Sequence, residues 1–232
     1  MKKVFLLLGL GAITIISGTY IWYHVQEASV EKIFTQWYYD NIEKGIESVS
    51  GGGSDLAETK IIRKELPTLL QQLNINSMLD APCGDLNWIK KMDLSFLTLY
   101  IGADIVRPLI NHNQINYGTK NIFFMHLDII HDAIPYADLI LCRDCFVHLK
   151  YTDIATALKN FKKSGAKYLL TTQFFNEINK DLTHSGYWRP INLQKPPFNL
   201  PKPLTIINEQ CPHKNFQDKS LALWALEDIT LT

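Results

Sequence analysis

Three aspartates recur at the ends of apolar runs. Asp80 closes SMLD, Asp104 closes LTLYIGAD 24 positions later, and Asp128 closes NIFFMHLD. A fourth run, ADLILC, leads into Cys142-Arg143-Asp144-Cys145, with His148 just beyond. Carboxylates at the carboxyl ends of successive strands suit a nucleotide, because an acid ending the second strand can accept hydrogen bonds from both ribose hydroxyls. Asp144 and His148 are the groups near the fourth run able to take a proton, and on a helix their spacing of four would set them on one face. The pair Cys142-x-x-Cys145 also admits thiol–disulfide exchange. Cys142, Cys145 and His148, with Cys211 or His213, admit a zinc site, but the spacing lacks the usual second two-ligand knuckle and no metal is expected. The dinucleotide fingerprint G-x-G-x-x-G is absent after the first run.

The acids need a scaffold that brings strand ends together, and the pattern supplies one. A helix is expected from Ser54 or Asp55 to about Leu73, with Glu58 placed for a capping box and Leu56, Ile61, Ile62, Leu66, Leu69, Leu70 and Leu73 on its apolar face. Strands follow at Ser77–Ala81, Leu97–Asp104, Asn121–Asp128, Ala137–Cys142 and Lys167–Phe174. Between them lie a short helical stretch at Leu86–Met92 and helices at Arg107–Tyr117 and Asp153–Ser164, the last facing inward through Ala155, Leu158 and Phe161. Short apolar strands alternating with helices predict a doubly wound α/β fold around a mostly parallel sheet. Leu204–Asn208 and Leu221–Leu226, with no helix between them, predict a closing antiparallel hairpin and a seven-stranded sheet. The stretch His184–Pro203 holds five of the ten prolines and reads as a stiff loop, with Tyr187, Trp188 and Arg189 as a candidate substrate wall or as packing over the sheet edge.

On these residues the chain resembles the class I S-adenosylmethionine-dependent methyltransferases. SMLDAPCGD is similar to their first motif, YIGADI to the second, FMHLDI to the third, and ADLILCRDCFVHL to the fourth-strand region. The wider stretch GGGSDLAETKIIRKELPTLL with NLQKPPFNLPKPL resembles an uncharacterised bacterial branch of that family. The resemblance implies S-adenosyl-L-methionine as cofactor. Asp80, Ala81, Pro82, Cys83 and Gly84 would border its methionine part, Asp104 its ribose, and Asp128 with the Ile129 backbone its adenine. Cys142, Arg143 and Asp144 would floor the site where the sulfonium meets an acceptor. Of the first motif's glycines only Gly84 is kept, with Pro82 and Leu86 at the other positions. The implied reaction is methyl transfer to oxygen or nitrogen of a small-molecule or saccharide acceptor, with Asp144 and His148 as catalytic candidates. A non-catalytic cofactor-binding or scaffold domain and an anchored redox protein are the alternatives.

Residues 1–25 stand apart. After Lys2 and Lys3, Val4–Tyr23 runs for twenty residues without a formal charge, enough as a helix for a span of roughly 30 Å. A single-pass anchor in a lipid bilayer is expected, with 26–53 as connector and Gly-rich hinge and 54–232 as the α/β domain. Gly51–Gly53 reads either as a hinge or as backbone making a close approach. The two lysines favour the domain outside the cell, whereas a cofactor made in the cytoplasm favours the cytoplasmic side, which is the expectation adopted. Lys+Arg 23 balances Asp+Glu 23 in 232 residues, which excludes a protein held mainly by polyanion backbones, so no nucleic acid is expected. Four cysteines are too few for a disulfide scaffold.

Overall fold

Apolar strands that bury both faces need helices above and below, and the chain meets that need with α2 (Lys60–Gln72) and α3 (Arg107–Tyr117) on one side of the sheet and α4 (Tyr151–Lys163) on the other. The computed structural model describes residues 29–231 together with Ile15–Ile16 and Thr19–Tyr20, two pairs joined antiparallel. These four residues of the expected anchor helix Val4–Tyr23 are extended rather than helical, and the rest of it lies outside the described residues. Among the described residues no helix is long and apolar enough to cross a membrane.

Seven strands form one sheet: β1 (Ser77–Asp80), β2 (Leu99–Asp104), β3 (Ile122–His126), β4 (Leu139–Cys142), β5 (Tyr168–Gln173), β6 (Thr205–Asn208) and β7 (Ser220–Ala225). Their order is β3-β2-β1-β4-β5-β7-β6, parallel from β1 to β5, with β7 antiparallel to both neighbours. The chain first winds outward from β1 to β3 and then returns to β4 on the other side of β1. That reversal opens a crevice at the carboxyl ends of β1 and β4.

Alternation along the strands builds two cores. Met78, Leu139, Leu141, Leu170, Leu221 and Leu223 meet α2 (Lys60–Gln72) through Ile62, Leu66 and Leu70, and α3 (Arg107–Tyr117) through Ile110. The intervening Leu79, Ile101, Ile140, Leu169 and Trp224 meet α4 (Tyr151–Lys163) through Ile154, Ala157, Leu158 and Phe161. The buried face of α4 is thus offset from the one expected, with Ala155 only half-buried.

Two helix expectations are corrected. α2 begins at Lys60, and its N-cap Thr59 makes no side-chain capping bond, so the capping box of Asp55 and Glu58 does not form. The Leu56 N–H is drawn instead to the Glu47 carboxylate at 2.7 Å, while the Asp55 carbonyl accepts the Thr59 hydroxyl at 2.8 Å, which commits these residues to a loop. Leu86–Met92 yields only a 3-10 turn at Ile89–Lys91, because Leu86 takes φ 59 and cannot start a helix.

The connector holds α1 (Val30–Lys44), capped by the Ser29 hydroxyl and ended by Gly45 at φ 61. It lies over the crevice. Glu31 ties its start to Arg107 at 3.2 Å and His126 at 3.4 Å, and the Asn41 amide donates to the Val49 carbonyl at 2.9 Å. The proline-rich loop packs into the α4-side core at the carboxyl end of β5 rather than over a sheet edge, with Ile191 and Leu193 fully buried. Gln173 holds it from both sides, donating to Asn192 at 2.7 Å and accepting from the Leu193 N–H at 2.8 Å.

Candidate active site

The strand-end acids converge. Asp80, Asp104 and Asp128 line one cleft with the Ala81–Gly84 turn, Arg143 and Asp144, and α1 covers it through Phe34, Trp37 and Tyr38. The turn after β1 is wedged between its neighbours. The Ala81 N–H donates to the Leu141 carbonyl at 2.9 Å and the Cys83 N–H to the Ala103 carbonyl at 2.8 Å. Gly84 adopts φ 55, and its N–H donates to the Asp104 carboxylate at 3.1 Å. A Cβ on Gly84 would collide with the Ser50 hydroxyl, so only glycine lets the 48–50 segment close on this turn. Asp85 fastens that segment, accepting from the Ser48 hydroxyl at 3.0 Å and the Val49 N–H at 2.9 Å.

Both inner acids carry an electrostatic debt. Asp80 is buried, and burial pushes its carboxyl up to about 7; the Tyr100 hydroxyl, donating at 2.7 Å, opposes the shift, Asp104 adds to it, and Arg143 opposes it. Burial also raises Asp104, against the pull of the Val106 N–H at 3.0 Å and the Gly84 and Ile105 amides. Three amides occupy three of the carboxylate's roughly four lone-pair sites and leave one for a ligand. Two under-compensated buried carboxylates therefore face one cleft. Asp128 is already engaged in a local turn, accepting from the Ile130 N–H at 2.8 Å and pairing with His131 at 2.8 Å, and Ile129 lines the cleft beside it.

The floor is an ion network. Arg143 donates to Glu209 through Nε at 3.1 Å and Nη2 at 2.7 Å, and contacts Asp144 at 3.1 Å. Lys219 bridges Asp144 at 2.7 Å and Glu209 at 3.3 Å. Burial would raise the Asp144 carboxyl, but Arg143 and Lys219 outweigh it and hold Asp144 well below the usual range. Two cations thus hold its charge, and Asp144 is poorly suited to accept a proton near neutrality. Gly53 passes so close that a Cβ there would sit 2.9 Å from the Asp144 carboxylate, so the Gly-rich stretch makes a close approach at this position.

His148 reaches the site by a different route from the one expected. Asp144 stands at φ 50, and His148 ends a 3-10 turn at Phe146–His148, so no shared helix face exists. Both nonetheless line the same cleft. Burial lowers the His148 pKa, against the Asp144 charge and the Tyr187 carbonyl, with Arg189 lowering it further and the Gly186 carbonyl opposing. Its Nδ1 lies 3.2 Å from the Tyr187 carbonyl, which assigns the hydrogen to Nδ1 and leaves the lone pair on Nε2. Phe34 and Trp37 of α1 pack edge-on to the imidazole at 5.9 and 5.5 Å.

Other expected residues divide. Cys142 is fully buried in the α4 core and does not line the cleft, whereas Cys145 does. Both thiols are free, and burial pushes Cys142 well up, which disfavours a reactive thiolate. Among the described residues no group of three or more His, Cys, Asp or Glu side chains is placed to hold a metal. Arg189 is corrected from a substrate contact to a structural one. Its buried guanidinium donates to the carbonyls of Lys180, Phe146 and Leu149 at 3.1, 2.6 and 2.7 Å, supplying donors that the β4–α4 turn lacks. Tyr187 and Trp188 are exposed, and Trp188 packs edge-on to Phe216 at 4.9 Å on the wall of a second cleft. Sequence reasoning missed Glu209, Lys219, Asp85 and Asn113, whose amide donates to the Gly84 carbonyl at 2.8 Å.

No family model matches the chain, and no curated protein matches it. Among solved structures, magnesium protoporphyrin IX methyltransferase from Synechocystis PCC 6803 is similar at TM-score 0.49 and 16% identity, over 64% of this chain and 72% of that one. The N-methyltransferase NodS from Bradyrhizobium japonicum WM9 is similar at TM-score 0.48 and 17% identity, over 70% and 94%. The methyltransferase domain of bacterial CtHen1 is similar at TM-score 0.44 and 12% identity, over 50% of this chain and 66% of that domain. None of these three scores reaches 0.5.

Proposed function

We propose that the cleft at the carboxyl edge binds S-adenosyl-L-methionine and that the chain transfers its methyl group to an oxygen or nitrogen nucleophile of a small acceptor. The observation that carries this reading is the convergence of Asp80, Asp104 and Asp128 on one cleft at the strand reversal, beside Gly84 in a left-handed turn. The sheet, with its closing hairpin, is the one the motif resemblance implies. Asp80 would receive the methionine ammonium, Asp104 the ribose hydroxyls, and Asp128 with Ile129 the adenine edge.

When bound, the cofactor supplies an electrophilic methyl on a sulfonium. The chain's own part is to align an acceptor, exclude water and remove a proton. His148 Nε2 is the group suited to the last task, while Asp144 stays ionised between Arg143 and Lys219 and keeps the floor electrically balanced. α1 covers one side of the cleft through Phe34, Trp37 and Tyr38. We also propose that Val4–Tyr23 anchors the chain in a lipid bilayer with this domain on the cytoplasmic side, on the strength of its twenty uncharged residues.

The test is calorimetric titration of the purified full chain with S-adenosylmethionine and its demethylated product. Saturable micromolar binding of both is expected. A folded, reduced chain that takes up neither overturns the reading.

A further inference from the structure

A second cleft of about 760 Å³ opens on the outer side of Asp144 and His148, which line both. Its walls are aromatic. Trp37 of α1 and Trp188 of the loop after β5 are 39% and 45% exposed, and Phe216 backs Trp188. Large aromatic rings left open on one cavity are a binding surface for a flat partner.

Its charge is one-sided. Lys219 lines the cleft but is taken up by Asp144 and Glu209. Of the remaining charged groups, Asp40, Asp55 and Glu58 are carboxylates against the single ammonium of Lys44 at the rim. Burial raises the Asp55 carboxyl, and every neighbouring charge that acts on it, from Glu47, Glu58 and Asp85, raises it further. Aromatic faces beside an excess of carboxylates attract a cation.

We propose that this cleft is the acceptor site and that it takes a primary or secondary amine carried on a planar ring, bound as its ammonium between Trp37 and Trp188. The inference rests on the methyl-transfer reading and narrows its acceptor to nitrogen. His148 sits at the junction of the two clefts with its Nε2 lone pair available. The bound ammonium gives one proton to Nε2. The exposed nitrogen pair then forms the new N–C bond with the methyl group of the sulfonium donor. The S–C pair returns to sulfur, leaving a neutral thioether and an N-methylated ammonium, and His148 passes its proton to water. Asp144, Arg189 and the carbonyls of Gly186 and Tyr187 are the polar groups that face the imidazole, and Phe34 and Trp37 close it from α1.

The experiment titrates the full chain with phenethylamine and with 3-phenylpropionate, which carry the same ring and opposite charge. The indole N–H resonances of Trp37 and Trp188 are followed, each assigned through its Trp→Phe variant. S-adenosylhomocysteine is titrated separately on the same preparation. Phenethylamine is expected to shift both resonances and to bind roughly tenfold or more tighter than the carboxylate. The double variant Asp55→Asn, Glu58→Gln should lose most of that preference while keeping its S-adenosylhomocysteine affinity. Equal affinity for the two probes, a preference for the carboxylate, or no shift at either tryptophan overturns the amine assignment. Failure of S-adenosylhomocysteine alone would instead overturn the cofactor reading, so the two failures are separable.

Discussion

Replacing Asp80 with asparagine tests whether the end of β1 is held as a protonated acid. The carboxyl is buried and receives the Tyr100 hydroxyl at 2.7 Å. Burial lifts its pKa from 3.8 to about 7. A folded pKa about three above the unfolded one corresponds to an unfavourable contribution of up to about 4 kcal/mol once the group is ionised in both states. The sign follows from proton counting. Between about pH 4 and pH 7 the folded chain keeps a proton that the unfolded chain has lost, so stability falls as pH rises through that window and then levels off. The asparagine amide carbonyl can still accept from Tyr100 but never ionises. Urea unfolding at pH 4.5, 6 and 8 should therefore show the two proteins nearly equal at the acid end. At pH 8 the Asp80→Asn variant should be more stable by about 2–4 kcal/mol, with an unchanged slope against denaturant. Cofactor binding supplies a second reading. If the methionine ammonium docks on Asp80, binding by the wild type near pH 6.5 releases a proton, visible as a binding enthalpy that varies with buffer, whereas the variant releases none. A stability difference that stays constant from pH 4.5 to 8 would refute the reasoning.

Gly84→Ala should destabilise the chain by about 1–3 kcal/mol, through left-handed backbone strain and the collision with Ser50. Adding Ser50→Gly should recover the steric share, and no recovery in thermal unfolding would place the cost elsewhere. Glu209→Gln leaves Arg143 and Lys219 with only Asp144 to neutralise them, at an expected cost of about 3 kcal/mol. The extra positive charge should weaken S-adenosylmethionine more than its uncharged thioether product, and equal losses for the two in calorimetry would dissociate this network from the sulfonium.

The sheet and its acids were legible because each depends on local pattern. A strand buried on both faces is a continuous apolar run, and the aspartate that stops it marks the sheet's carboxyl edge. Asp80 and Asp104, which end β1 and β2, were therefore readable without knowing what lay beside them, whereas Asp128 lies in a turn two residues past the end of β3. Partners supplied from afar were not. Glu209 meets Arg143 across 66 positions, and Lys219 meets Asp144 across 75. Nothing near either residue announces the pairing. Arg189 misled because its neighbours Tyr187 and Trp188 are exposed, whereas its own guanidinium was drawn inward by carbonyls that only the folded turn leaves open. The helical spacing of Asp144 and His148 failed for a backbone reason, since a residue at φ 50 lies outside any right-handed turn. α2 started late because Glu47, eight residues before Asp55, competes for the first amides of the segment.

The hairpin that ends the sheet has a consequence for the order in which this protein becomes competent. β4 and its Arg143–Asp144 pair precede in the chain the carboxylate and ammonium that balance them, Glu209 and Lys219, which lie between β6 and β7. Until β7 inserts between β5 and β6, the floor has a buried guanidinium without its two-pronged partner. The ion network of the floor is therefore complete only once the hairpin is in place. A chain that still lacks the hairpin would be electrically unfinished at the floor of the cleft proposed to hold the cofactor.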